Sequence, residues 1–77
     1  VRLNAPHAEP GEFLIGFGPM ACDASLSESG DLAEAAQRLY ACLHLGAASP
    51  MPGIAVAAVP DAGLGRAIND RLRRAAA

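Results

Sequence analysis

The sequence has no lysine and no tryptophan, and its only aromatic residues are Phe13, Phe17 and Tyr40. A nucleic-acid binder presents a broad positive face with aromatic side chains interleaved. With a formal net charge of −2, this chain is not expected to bind RNA or DNA directly. Cysteine is equally scarce. Cys22 and Cys42 are the only two, and they are not in a C-x-x-C arrangement. That excludes a disulfide-stapled scaffold and a thiolate-rich metal centre, and it fits reduced thiols in a cytoplasmic protein. No apolar run approaches the ~20 residues of a membrane span, and neither a signal peptide nor a membrane partner is expected.

What remains is a chain of 77 residues, enough for one domain. A domain this short buries only about 60% of the surface its unfolded form exposes. The 52% hydrophobic content includes eighteen alanines, and Leu, Ile, Val and Phe together number seventeen. That supplies one thin core between a sheet and two helices. The first residue is Val, not Met, and we expect residues 1–77 to be a single domain taken from a longer protein.

Apolar periodicity orders the elements. Val1–Leu3 alternates as a short strand does, and the proline-bearing loop Asn4–Gly11 follows. Glu12–Phe17 is a nearly continuous apolar run, as in a strand buried on both faces of a parallel sheet. If the first two strands are parallel, their connection is shorter than the dozen or more residues normally required. A brief third strand is expected around Ser25–Leu26. Asp31, with Glu34 three residues on, reads as the capping box of a helix that runs to about Leu45 and stops at Gly46. Leu32, Ala35, Ala36, Leu39, Tyr40, Cys42 and Leu43 share its inner side, and Glu34–Arg38 is an i, i+4 pair. Ile54–Val59 is a second buried strand, its alanines suited to a helix above and below.

The last nineteen residues, VPDAGLGRAINDRLRRAAA, organise the rest. Asp61 stands where an N-cap belongs, and helical spacing begins at Gly63. Leu64, Ala67, Ile68, Leu72 and Ala75 fall on one side, while Arg66, Asn69, Asp70, Arg73 and Arg74 face away, with Arg66–Asp70 and Asp70–Arg74 at i, i+4. Arg71 breaks the pattern. It lies near the middle of the apolar stripe, so its guanidinium needs a carboxylate, carbonyls, an anion or a neighbouring domain. A stem packed on the sheet with the head led outward also satisfies it.

No catalytic or metal constellation emerges. Cys42 and His44 point about 160° apart on a helix, and zinc needs three or four convergent ligands. Ser27, Ser29 and Asp31 cluster before a helix, where capping accounts for them, although a helix start also attracts anions. Gly63 and Gly65 form only G-x-G, without the third glycine of a dinucleotide fingerprint or the Gly-Lys-Ser/Thr of a phosphate loop. Turn geometry and close helix approach explain them equally. The candidates for an interdomain or anion contact are Ser29, Asp31, Gly63, Gly65, Asn69 and Arg71.

Two stretches, LSESGDLAEAAQRLYACL (Leu26–Leu43) and GLGRAINDRLRRAA (Gly63–Ala76), together resemble the C-terminal domain of the two-domain threonylcarbamoyl-AMP synthases. The opening VRLNAPHAEPGEFLIGFGP (Val1–Pro19) resembles the entry to that domain. The resemblance implies a small Rossmann-like α/β domain, with a mostly parallel sheet of about four strands and two main helices. It implies an N-terminal YrdC-type catalytic domain in the same chain, which holds ATP and Mg and joins L-threonine, bicarbonate and ATP into threonylcarbamoyl-AMP for tRNA modification. In longer relatives a helix stands where this chain has its short proline-bearing loop. None of the family's catalytic motifs occurs in residues 1–77, so no catalytic residue, cofactor or metal is expected here. The leading expectation is therefore a non-catalytic accessory domain. Two alternatives stay open: a small nucleotide- or phosphate-binding module, and an interaction domain for downstream tRNA-modifying proteins.

Overall fold

The computed structural model describes residues 1–76. Three parallel strands, β1 (Glu12–Gly16), β2 (Ala24–Ser25) and β3 (Gly53–Val56), form one sheet in the order β2-β1-β3. Two helices, α1 (Leu32–Ala48) and α2 (Leu64–Ala76), complete the fold. In register, Phe13 opposes Ile54, Ile15 opposes Val56, and Ala24 opposes Ile15 on the other side.

The sheet has three strands, not four. The expected opening strand shrinks to one parallel bridge between Arg2 and Ala55. Arg2 N–H donates to the Ile54 carbonyl at 2.8 Å, and Val56 N–H donates to the Arg2 carbonyl at 2.9 Å. Pairing then fails because Asn4 turns to φ +55°, a left-handed conformation that interrupts an extended strand. Ala5 N–H still reaches the Val56 carbonyl at 2.9 Å, so the segment flanks β3 without becoming a strand.

Alternation along the strands separates two faces. Phe13, Ile15, Ile54 and Val56 look toward the helices and pack with Leu39, Cys42, Ile68 and Leu72. Leu14 and Ala55 look the other way, where Ala5, Ala8, Met20 and Cys22 cover them. Both helices thus lie on one face, and loops cover the other, which corrects the expectation of a helix above and below. The seven-residue connection between β1 and β2 is short because it lays Met20 and Cys22 across that second face. Gly16 makes room for it: a Cβ there would stand 2.7 Å from the Cys22 sulfur.

α1 begins as expected, with the Asp31 carboxylate accepting from Ala33 N–H at 3.0 Å. The reciprocal half of the capping box is not made by Glu34. Ser27 Oγ accepts from Asp31 N–H instead, at 2.9 Å. The helix also runs through Gly46 to Ala48, capped by Ser49. Gly46 is buried because it is a contact point: a Cβ there would lie 2.9 Å from Ile54 Cδ1 and 3.3 Å from Phe13 Cδ1. Tyr40 and Ala36, expected inside, are exposed. Arg38 forms no ion pair with Glu34; its Nε donates to the Ser25 carbonyl at 2.9 Å.

α2 is rotated from its expected setting. Its buried residues are Gly65, Ile68 and Leu72, while Leu64, Ala67 and Ala75 are exposed. On a helical wheel this moves the buried centre by about 60° toward Gly65 and Asn69. The glycine draws the helix inward: a Cβ at position 65 would fall 1.7 Å from the Pro60 carbonyl oxygen. Helical structure starts at Leu64, so Asp61 is not the N-cap; its carboxylate accepts instead from the Asn69 amide at 3.3 Å. Of the two expected ion pairs only Asp70–Arg74 forms, at 3.0 Å.

Candidate functional site

The carboxyl ends of the strands lead into the starts of both helices, the end of a parallel sheet where ligands most often bind. Leu32 lies beside Gly65, and the Arg71 guanidinium lies over the Tyr40 ring at 5.2 Å from its centroid. α1 and α2 therefore run side by side in the same direction, with their starts together.

At the start of α1, Ser27 is buried at 1% exposure, and its hydroxyl lies 3.3 Å from Ser29 Oγ. Gly30 takes φ +77°, turning the chain so that Asp31 can cap. Ser29 and Asp31 are thus joined through Ser27 in one turn. Beside it is an open hollow of about 510 Å³ lined by Ser25, Ser27, Glu28, Ser29, Glu34 and Arg38. Ser25 Oγ is buried there without a hydrogen-bond partner.

At the start of α2, Gly63 takes φ +57°. Gly65 N–H donates to the Ala62 carbonyl at 3.0 Å and Arg66 N–H to the Gly63 carbonyl at 3.1 Å. Two of the amides that would cradle an anion are therefore already bonded within the turn. Asn69 sits one turn further on, and its amide donates to the Val59 carbonyl at 2.9 Å. It pins the loop that leads into the helix.

The six candidates do not converge on one point. Ser29 and Asp31 belong to one turn, Gly63, Gly65 and Asn69 to another, and Arg71 lies two turns along α2 over an aromatic ring. The charged lining of the hollow is two carboxylates, Glu28 and Glu34, against the one guanidinium of Arg38. Tyr40 was not legible as a surface residue, because its wheel position adjoins the apolar stripe. Its hydroxyl was the one available signal, since a phenol on a helix edge prefers one wet end.

Titration points elsewhere. Arg2, 2.7 Å from Glu12, holds that carboxyl down to about 2, helped by a hydrogen bond from Glu9 N–H. Burial pushes the Cys42 thiol up. Both shifts belong to structural contacts. Among the described residues, no group of three or more His, Cys, Asp or Glu could hold a metal ion, and no helix is long and apolar enough to cross a membrane.

A three-stranded parallel sheet with both helices on one face, and its polar groups largely spent on holding its own turns, defines a small two-layer α/β domain. A family model described as threonylcarbamoyl-AMP synthase, C-terminal domain, matches residues 4–77. The chain belongs to that family. Neither the curated proteins nor the solved structures provide a match.

Proposed function

We propose that this chain is a non-catalytic accessory domain of a threonylcarbamoyl-AMP synthase in the cytoplasm. It docks on the N-terminal YrdC-type catalytic domain of the same protein and influences how that domain retains nucleotide or product. The parent reaction joins L-threonine, bicarbonate and ATP into threonylcarbamoyl-AMP with release of pyrophosphate; ATP and Mg belong to the catalytic domain. The supporting observation is a family match over residues 4–77 on a chain whose turn-forming polar groups bond mainly to each other. The strand order β2-β1-β3, all parallel, is compatible with a reduced Rossmann-like unit.

The test is removal of the domain from the full-length synthase. Pyrophosphate release should persist at a reduced rate, with a raised KM for ATP. Kinetics identical to the intact enzyme would overturn the accessory reading. Titrating the isotopically labelled chain with ATP or AMP addresses the phosphate-binding alternative. Shifts confined to Ser27–Asp31 and Gly63–Gly65 at micromolar ligand would favour that module over docking.

A further inference from the structure

A second hollow lies apart from the helix starts. It measures about 280 Å³ and opens between the entry of the chain, the β3–α2 connection and the second half of α2. Leu3, Ala57, Val59 and Leu72 form its apolar floor, and the last three are buried core residues. Asn4, Asp61, Asn69 and Arg73 supply its polar lining. An apolar floor with a few polar groups around it is the usual make-up of a small-molecule site. The hollow also adjoins the carboxyl end of β3, and Asn4 reaches it through a left-handed backbone of φ +55°.

Its polar groups are only partly used. Asn69 Nδ2 donates to the Val59 carbonyl at 2.9 Å and to Asp61 Oδ1 at 3.3 Å. The carbonyl at Val59 fixes which end of the carboxamide faces it. Asn69 Oδ1 and the second Asp61 oxygen are therefore left as acceptors among the described residues. Arg73 lines the same hollow, yet no carboxylate lies within 4 Å of it among the described residues. Opposite charges thus stand on one small space without neutralising each other.

That arrangement selects by charge. A phosphate meets one guanidinium with a carboxylate on the same wall, and a nucleobase finds no aromatic ring in the lining. A hard metal ion finds a single carboxylate. A simple amine is opposed by Arg73, and a simple carboxylate by Asp61. One small molecule that carries both charges satisfies both residues.

We propose that this hollow binds the zwitterion of a free α-amino acid with a short aliphatic side chain. Arg73, with the Asn4 carboxamide beside it, takes the carboxylate; Asp61 and Asn69 Oδ1 accept from the ammonium group. The aliphatic side chain rests on Leu3, Ala57, Val59 and Leu72.

Titration of the isotopically labelled chain with L-valine tests this, read by amide chemical shifts. Shifts should centre on Asn4, Ala57, Asp61, Asn69 and Arg73 and saturate below about 50 mM. Isobutylamine lacks only the carboxylate of valine, and 3-methylbutanoate lacks only its ammonium group. Each should bind about tenfold more weakly or worse, as loss of a charged hydrogen bond requires. Arg73→Gln should weaken L-valine by a similar factor without altering isobutylamine, and Arg73→Lys should recover most of the affinity. Asp61→Asn keeps an oxygen for Asn69 and should weaken L-valine without altering 3-methylbutanoate. No saturation below about 50 mM would overturn the proposal. So would either analogue binding as well as L-valine, or Arg73→Gln binding it as the parent does.

Discussion

Arg2 and Glu12 close the entry of the chain onto its sheet: Arg2 Nε donates to one Glu12 oxygen at 3.0 Å and Nη2 to the other at 2.7 Å. The pair links the bridging residue to the first residue of β1, across the nine residues 3–11, which include the covering residues Ala5 and Ala8. The fork geometry is specific to arginine.

This pair sets an acid limit on stability. The folded carboxyl is held at about 2, below its ordinary value of 4.5, so it binds fewer protons in the folded chain than in the unfolded one. Its contribution is complete above about 4.5 and is lost as pH falls toward about 2. Urea unfolding midpoints should therefore drop across that window. Glu12→Gln should lower the midpoint at neutral pH and flatten the acid dependence. A variant with an unchanged acid profile would show that another carboxylate governs it.

The two glycines before and within α2 should respond differently to alanine. Gly63 has open space around its missing Cβ but a left-handed backbone, so Gly63→Ala should cost roughly 1–2 kcal/mol. Gly65→Ala forces a methyl against the Pro60 carbonyl and should cost more, about 3 kcal/mol or beyond, because backbone must move. Equal losses in chemical denaturation would contradict this packing.

Asn69 should behave as a structural pin. Asn69→Ala leaves the Val59 carbonyl without its amide donor and should lower stability by about 1–3 kcal/mol. Hydrogen exchange should quicken at Gly65 and Arg66, whose amides bond within the loop it holds. Slow exchange there in the variant would show the loop holds itself.

The two thiols should separate cleanly. Cys42 is buried, and burial pushes its thiol up, so little thiolate is available. Cys22 is partly exposed. A thiol reagent under native conditions should modify one cysteine quickly and the second only on unfolding.

Much of this architecture was legible in the sequence because it follows from side chains that are present. Ile15, Leu39, Cys42, Val56, Ile68 and Leu72 sit in the core as apolar spacing predicts, and Asp31 caps α1. What escaped depended on atoms that are missing or on single backbone angles. Gly46 looked like a stop but is where α1 meets the sheet, and Gly65 rotates α2 by having no side chain at Pro60. The lost fourth strand traces to the conformation of Asn4, which residue type alone permits but does not dictate. Arg71 was expected in the middle of the apolar stripe, but α2 is turned so that it stands outside the core, over Tyr40.

The central claim is that the chemistry of the synthase lies outside these residues. Pyrophosphate release by the 77-residue chain, supplied with ATP, L-threonine, bicarbonate and Mg, addresses it most directly. The expected rate equals the protein-free blank, while the full-length enzyme at the same concentration turns over. Threonine-dependent pyrophosphate release by the chain alone would contradict it.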